Sequence, residues 1–313
     1  MEGTTMILKF NRESWGILFL LAVTFVLAAI VPDAPSQAVA ENGIFLGVII
    51  FLAVFYLVQL YLQPENNRAV TDIFLLLSAL LLVWEITLGK LALLDPLLFP
   101  GPARVFAVFG SDWQIMLAGV ASSLFILISG YLLALLIAVP AGLYIGWRKR
   151  LFDVAYPVAK AVSPIPPTVY LPYAIVLLPT FTASSVFLIF IGSFWPIFVG
   201  TVFGVFSIDH RLINSARTLG LSDHQMVRRI LLPGALPSIL SGSLISLIIS
   251  FITLTVAEMI AATSGLGWYI EYNHQFANYY KVIAGMILIA VVVIVIMSVF
   301  DRVQQYVLRW QQR

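Results

Sequence analysis

The sequence predicts an all-α protein that crosses a membrane about eight times, and three observations carry that expectation. Apolar residues make up 61% of the 313-residue chain and charged residues only 10%, against roughly 45–50% and about 25% in soluble globular chains. The mean hydropathy is +1.02, so a water-soluble fold of this size would lack the polar side chains to cover its surface. The apolar residues also gather into runs near the roughly 20 residues that span a bilayer, and eight such helices use about half of the chain.

The runs fall in order along the chain. The first covers 15–31 and the second 43–62. The third, 69–88, carries one carboxylate, Glu85. The fourth, 117–147, is too long for one straight span and has Pro140 inside it. The fifth, about 155–178, is broken by prolines. The sixth is 183–206, the seventh 239–260 and the eighth 282–300. No short fixed-period repeat is present. Residues 1–67 form a two-helix hairpin whose spans hold no polar residue that suggests chemistry, so it is expected to be a packing or insertion element. Residues 68–313 form the remaining body.

Lys and Arg set the orientation, because they concentrate on the cytoplasmic side. With the N-terminus inside, Lys9, Arg12, Arg68, Arg148, Lys149, Arg150, Lys160, Arg211, Arg217, Arg228, Arg229, Arg302, Arg309 and Arg313 are cytoplasmic. Lys90, Arg104 and Lys281 are outside, which is 3 of 17 basic residues. Both termini are therefore expected in the cytoplasm of a multi-pass plasma or inner membrane protein. A cleaved signal peptide is the competing reading of the start, since Ala38-Val39-Ala40 resembles a cleavage site. The apolar run of 17 residues is longer than a usual signal core, and an uncleaved first span is expected.

Several function classes are excluded. A net charge of +2 gives no footprint for nucleic acid. The absence of cysteine removes disulfides, thiolate metal sites and cysteine nucleophiles. His210, His224 and His274 lack metal-ligand spacing. No G-x-x-x-x-G-K-[ST] loop occurs, so the chain is not itself a P-loop ATPase, and no catalytic constellation can be named.

The most informative stretch lies between the sixth and seventh runs. Asp209 suits a helix N-cap and Gly220 a helix terminator in the left-handed conformation. Leu212, Ile213, Ala216 and Leu219 share one face of the helix between them. Ser222 and Gln225 form a capping-box pattern for a second helix. Met226, Val227, Ile230 and Leu231 give that helix an apolar stripe, and Pro233 and Pro237 are expected to end it. The result is two short amphipathic helices at a sharp angle, with apolar surface that a soluble partner would cover.

This stretch resembles the coupling loop of ATP-binding-cassette importer permeases. The family pattern is Glu-Ala-Ala, three residues, Gly, nine residues, Ile, one residue, Leu-Pro. Here Asn214-Ser215-Ala216 stands for the triplet, followed in register by Gly220, Ile230, Leu232 and Pro233. Asn214 replaces the glutamate, so any salt bridge made through that carboxylate is absent. Further stretches are similar to the nitrate, sulfonate, taurine and bicarbonate type of permease: Ser-Pro-Ile-Pro-Pro at 163–167, Ala-Arg-Thr-Leu-Gly at 216–220, Leu-Pro-Gly-Ala-Leu-Pro-Ser at 232–238, Ala-Glu-Met at 257–259 and Ser-Gly-Leu-Gly at 264–267. Phe-Pro-Gly-Pro-Ala at 99–103 looks like the family's entry to its external loop. The resemblance covers about 70–310 and leaves the hairpin outside.

The resemblance implies a type I importer fold with a six-helix core. It implies a second permease copy, taken as a homodimer, together with two cytoplasmic ATPases and an extracytoplasmic substrate-binding protein. ATP and Mg would sit on the ATPase, and no cofactor is expected on this chain. Loop 207–237 is then the ATPase-coupling segment, with Leu212, Asn214, Ser215, Ala216, Leu219, Gly220, Met226, Ile230, Leu232 and Pro233 as its working residues. The apolar stripes Leu212, Ala216, Leu219 and Met226, Ile230 are expected to face the ATPase. The resemblance further implies a small organic or inorganic anion, such as a sulfonate, nitrate or bicarbonate, as the cargo. An ion-coupled secondary transporter or channel is the alternative, and it would want ionisable residues in mid-span.

Pro164, Pro166 and Pro167 block a straight helix, which either shapes the pathway or simply makes a loop. Pro140, Pro172, Pro179 and Pro196 are expected to be kinks tolerated in membrane helices. Glu258 is expected to gate or to tie down the external loop. Glu85 is expected to snorkel toward water beside Lys90. Ser122, Ser123, Ser129, Ser184, Ser185, Ser193, Thr253 and Thr255 either line the path or bond between helices. Trp15, Trp113, Trp147, Trp268 and Tyr269 suit the interfacial aromatic belt. The aromatic loop 264–280 faces either a binding protein or the interface.

Overall fold

The computed structural model describes residues 12–39, 42–62 and 68–310. Lys9, Ala40 and Arg313, which enter the charge count and the cleavage motif, lie outside the described residues. The helices are α1 (Arg12–Ile30), α2 (Gly43–Leu62), α3 (Arg68–Trp84, continued by a π-helical turn Glu85–Lys90), α4 (Pro102–Ser111), α5 (Trp113–Trp147) and α6 (Lys149–Val162). They are followed by α7 (Leu171–Leu177), α8 (Phe181–Phe206), α9 (His210–Thr218), α10 (Asp223–Met226), α11 (Leu232–Ala261), α12 (Leu266–Gln275) and α13 (Tyr279–Val307).

Among the described residues, seven helices are long and apolar enough to cross a membrane: Glu13–Ile30, Gly43–Tyr61, Arg68–Lys90, Trp113–Trp147, Phe181–Phe206, Asp223–Ala261 and Tyr279–Val307. The expected fifth span is the difference. It is divided into α6, a 3-10 turn at Pro167–Tyr170 and α7. The cause is the run of prolines at 164, 166 and 167, which removes backbone donors and bars the α region before each ring. Pro140 and Pro196 lie inside α5 and α8, as expected, whereas Pro172 sits in the first turn of α7 and Pro179 in the link before α8.

The chain forms two compact units, Met1–Met116 with Asn273–Ile287, and Leu117–Tyr272 with Leu288–Arg313. The hairpin thus belongs to a larger body that also holds α3 and α4. In that first unit Ile17, Leu21, Phe45, Ile49, Tyr56, Phe74 and Phe106 make the core. Phe45 and Phe106 stack with centroids 5.5 Å apart. Tyr56 Oη donates to Ser14 Oγ at 2.8 Å, so these two buried hydroxyls within the hairpin satisfy one another.

At the other end of the hairpin, charge does the fastening. Lys90 Nζ donates to Asp33 Oδ1 at 2.7 Å and to the Val31 carbonyl at 2.6 Å, and lies 2.9 Å from Glu85 Oε1. The side chains of Lys90, Asp33 and Glu85 are 8%, 5% and 1% exposed. Glu85 does not snorkel, as had been expected. The π-turn places it one turn below Lys90, and the α1–α2 loop closes over both. Gln37 bridges the next segment, donating to the Phe99 carbonyl at 3.1 Å and accepting from Gly101 N at 3.0 Å.

In the second unit α8 and α11 are the central pair. Their contact runs along small residues: a Cβ on Gly242 would lie 2.6 Å from the Pro196 carbonyl, and one on Gly200 would lie 2.8 Å from the Ser238 carbonyl. Close backbone approach of this kind replaces the hydrophobic drive that lipid does not supply. Ser193 and Ser250 share a buried hydrogen bond of 2.6 Å across the same seam.

The charge cluster leads to a test. Lys90→Met leaves Asp33 and Glu85 as buried, uncompensated carboxylates, an arrangement that costs about 3–5 kcal/mol. Thermal unfolding in detergent should drop markedly, and the triple change Lys90→Met, Asp33→Asn, Glu85→Gln should recover most of the loss.

Candidate coupling site

The segment joining α8 to α11 is built as the sequence patterns require. Asp209 caps α9, its side chain accepting from Arg211 N at 2.7 Å. Gly220 takes φ +70°, a conformation that costs other residues about 1–2 kcal/mol. Gly220 N donates to the Arg217 carbonyl at 2.9 Å and Leu221 N to the Ala216 carbonyl at 3.3 Å. That pair of bonds is the Schellman ending, which satisfies the last carbonyls of α9 and reverses the chain. Ser222 and Gln225 then form the capping box: Ser222 N donates to Gln225 Oε1 at 3.0 Å and Gln225 N to Ser222 Oγ at 3.4 Å.

The second short helix does not stop at Pro233. Residues Asp223–Met226 pass through a π-helical turn, Val227–Leu231, straight into α11, with Pro233 in the first turn of α11 and Pro237 inside it. A proline cannot donate to the α ladder, and widening the preceding turn to i→i+5 bonding accommodates the missing donor. Leu232 N accordingly donates back to the Val227 carbonyl. The bend is therefore an extension of the longest membrane helix, not a separate hairpin.

The packing divides the predicted residues into two sets. Ile213, Ala216, Met226 and Leu231 join Leu143 of α5, Val205 of α8 and Ala235 and Ile239 of α11 in one core, with Ile230 and Leu232 packed against it. Ala216 and Met226 are 4% and 2% exposed, so the expectation that they face a partner is corrected: their surface is already spent inside the chain. The outward set is Leu212, Asn214, Ser215, Leu219 and Gly220, with Leu219 78% exposed. Arg211, Arg217, Arg228 and Arg229 are exposed around them, and Pro233 is half-buried. The segment is rigidly seated on three long helices and presents a leucine knob ringed by arginines.

The opposite end of α11 holds Glu258, which is 1% exposed. Ser123 Oγ donates to Glu258 Oε1 at 2.6 Å and accepts from Leu266 N at 2.9 Å. Gly267 N donates to Glu258 Oε2 at 2.8 Å. The carboxylate thus holds the turn before α12 against α5 and α11. Gly265 adopts φ +123°, and a Cβ there would fall within 2.7 Å of the Glu258 carboxylate atoms. Ser122 Oγ and Ser264 Oγ, 3.0 Å apart, add a second tie.

The other pathway candidates are distributed as follows. Ser184 and Ser185 are fully buried and Thr253 is 2% exposed. Ser184 Oγ donates to the Ala174 and Thr180 carbonyls at 2.9 and 3.1 Å, so it anchors α7 to α8. Pro164 and Pro166 are exposed at the break after α6, while Pro167 is buried where a Cβ on Gly192 would meet it at 2.7 Å. The local sequence does not reveal Asp33 as the partner of Lys90 at the end of α3, or Gln37 as the partner of Phe99 in the loop beyond it, because nothing local links residues 57 and 62 positions apart. Among the described residues, no group of three or more His, Cys, Asp or Glu side chains could hold a metal ion.

Residues 138–313, more than half of the chain, match the family model "Binding-protein-dependent transport system inner membrane component". The taurine transport system permease protein TauC of Escherichia coli (strain K12) is 32% identical over 237 residues, covering 72% of this chain and 84% of that one. The putative aliphatic sulfonates transport permease protein SsuC of Bacillus subtilis (strain 168) is 28% identical over 242 residues, 76% of this chain and 86% of the relative. The nitrate import permease protein NrtB of Leptolyngbya laminosa is 30% identical over 183 residues, 58% of this chain and 64% of the relative. A solved structure of the MetNI methionine ABC transporter in an inward-facing conformation contains a chain of the same fold, with a TM-score of 0.54 and 21% identity over 63% of this chain and 98% of that one.

The Glu258 arrangement predicts the effect of an isosteric change. Glu258→Gln replaces one acceptor by an amide donor and leaves either Ser123 Oγ–H or Gly267 N–H unpaired, which costs about 1–3 kcal/mol. Thermal melting of the Gln variant and of Ser123→Ala should each fall, and the double variant should fall by less than the sum, since both remove the same tie.

Proposed function

This chain belongs to the family of binding-protein-dependent transport system inner membrane components, and from that premise we propose that segment 207–237 is the handle by which a separate ATPase drives it. The chain is the multi-pass permease of an ABC importer, not itself an ATPase. An ion-coupled mechanism has no support beside that membership. The observation that carries the proposal is the two-sided packing of α9. Its inner face joins the ends of α5, α8 and α11 in one core, and its outer face leaves Leu219 and Leu212 exposed. A push on the outer face is thereby delivered to three long helices at once. Binding energy moves an inward–outward equilibrium only through a difference in affinity for the two states, and a rigid, capped bend converts ATPase closure into such a difference.

In this reading the outward set Leu212, Asn214, Ser215, Leu219 and Gly220 meets the ATPase, and Ala216, Met226, Ile230, Leu232 and Pro233 carry the load inward. The segment and both termini lie in the cytoplasm, an orientation supported by the Lys and Arg bias. The divided segment α6–α7 completes the crossing between α5 and α8. The working unit is a permease homodimer with two ATPases and an extracytoplasmic binding protein, and the hairpin 1–67 is an addition to the family core. The cargo is a small anion. The names of the taurine, aliphatic sulfonate and nitrate relatives support that class.

Two variants test the handle. Leu219→Asp touches nothing in its own core, so the permease should fold normally. If Leu219 is a hot spot of that interface, placing a charge there costs about 2 kcal/mol or more, which corresponds to about a thirtyfold loss of ATPase association. Gly220→Val meets no neighbouring atom but strains the left-handed turn, and uptake should fall with the permease still present in the membrane. Normal copurification of the ATPase with Leu219→Asp and full uptake by both variants would overturn the assignment.

A further inference from the structure

Between α3 and α4 the chain runs through a loop, 91–100, with the sequence Leu-Ala-Leu-Leu-Asp-Pro-Leu-Leu-Phe-Pro. Although it has no regular secondary structure, its large apolar side chains point outward. Leu91, Leu93, Leu94, Leu97, Leu98 and Phe99 are 59%, 64%, 50%, 54%, 45% and 44% exposed. Such a patch on a loop is far from the scattered exposed leucine of an ordinary surface.

The loop is not free to fold its leucines away. At its start, Leu91 N donates to the Ile86 carbonyl and Leu93 N to the Thr87 carbonyl, at 3.0 and 2.9 Å. At its end, Trp84 Nε1 donates to the Pro100 carbonyl at 3.0 Å, and Gln37 holds the Phe99 carbonyl and Gly101 N. In the middle, Asp95, the loop's one charged side chain, accepts from Leu97 N at 2.8 Å and so caps a turn that also pairs Phe99 N with the Asp95 carbonyl at 2.9 Å. Both ends are pinned and the turn is self-satisfied, so the outward leucines are a fixed feature.

We propose that loop 91–99 is an interfacial lipid anchor, with its leucines and Phe99 inserted at the headgroup–acyl boundary beside the Lys90 end of α3. Position on the chain supports lipid as the occupant. The loop follows directly on the membrane-spanning segment Arg68–Lys90, whose own side chains Ile73, Leu76, Leu80 and Val83 are 56–61% exposed along the helix. The apolar loop surface continues that lipid-facing run past the helix end. Irregular backbone does not enter the hydrocarbon core, because unpaired amides are too costly there. The boundary, about 5–10 Å deep for apolar side chains of surface-bound segments, is the depth that fits. The anchor also sits immediately after the buried Asp33, Glu85 and Lys90 cluster, so it keeps the end of α3 at a constant depth relative to those charges.

The absence of cysteine makes the test direct. Leu94→Cys and Leu97→Cys, each carrying a nitroxide label, are prepared in the full-length chain with its ATPase and reconstituted in phosphatidylethanolamine–phosphatidylglycerol nanodiscs. Collision with oxygen, which partitions into lipid, is compared with collision with a water-soluble nickel chelate. The references are Leu80→Cys on the lipid-facing side of α3 and the free label in buffer. Both loop positions should show an oxygen-to-nickel ratio several-fold above the free label and below Leu80→Cys. A ratio equal to that of the free label would place the loop in water. Exclusion of both reagents would mean a protein surface covers it, whether a second copy or a binding protein. Either result overturns the proposal.

Discussion

A bilayer offers no hydrogen bonds, so every polar group this chain places in it has to be answered from within the chain. That single constraint organises the structure. It makes every described element a helix. It turns hydroxyls back on their own helices, as in Thr201 Oγ1 to the Ile197 carbonyl at 2.7 Å, Ser250 Oγ to the Ser246 carbonyl at 2.7 Å and Thr24 Oγ1 to the Leu20 carbonyl at 2.8 Å. It also explains why the two most deeply buried carboxylates among the described residues are partnered inside the chain: Glu85 beside Lys90, five residues along the same helix, and Glu258 by Ser123 and the Gly267 amide. Glu85 has an ammonium that is shared with Asp33 and a carbonyl. Glu258 has a hydroxyl and a backbone amide. A carboxylate in hydrocarbon without such partners would be several kcal/mol too expensive.

The same constraint separates the two ends of α11 by role. At its start, polar surface is available, so the chain can afford a bend whose outer side is arginine and bare leucine. The bend is held by caps at the start and end of α9 and at the start of α10, and the π-turn joins it to α11 without a joint. At its far end Glu258 is buried, although Met259 and Ile260 beside it are exposed. Glu258, Ser123, Gly265 and Gly267 lock a turn onto the helices that α11 runs beside. In the proposed mechanism α11 supplies both a bend for the ATPase to grip and a distal contact that registers the displacement.

Much of this was legible in the residues. The spans followed from run length and hydropathy, the bend from Asp209, Gly220 and the Ser222–Gln225 box, and the broken fifth span from three prolines. These features are local, and local chemistry decides them: caps act within four residues, and a proline acts on its own turn. Where reading failed, the deciding partner was distant. The amphipathic stripe on α9 and α10 was real, but periodicity alone does not say whether an apolar face meets the rest of the chain or a different protein. Ala216 and Met226 proved to be inward, and Leu212 and Leu219 outward. Glu85 was read as reaching for water, because the loop that brings Asp33 to Lys90 belongs to a different pair of helices. Pro233 was read as a stop because the ability of a π-turn to absorb a proline depends on the helix continuing to be held by packing beyond it.

What the amino-acid sequence determined by itself is therefore the class of solvent, the approximate limits of the long apolar spans, the caps and breaks, and the family-like register from Asn214 to Pro233. Each of these depends on residues within one or two helical turns of one another. What only the tertiary structure decided is which faces are spent and which are left: that Glu85 and Lys90 are buried with Asp33, that Glu258 ties down the turn before α12, and that Leu212 and Leu219 of the apolar stripe are bare while Ala216 and Met226 are not. Those outcomes depend on contacts across tens to more than a hundred residues, and in a medium without water it is such contacts that settle the cost of every buried polar atom.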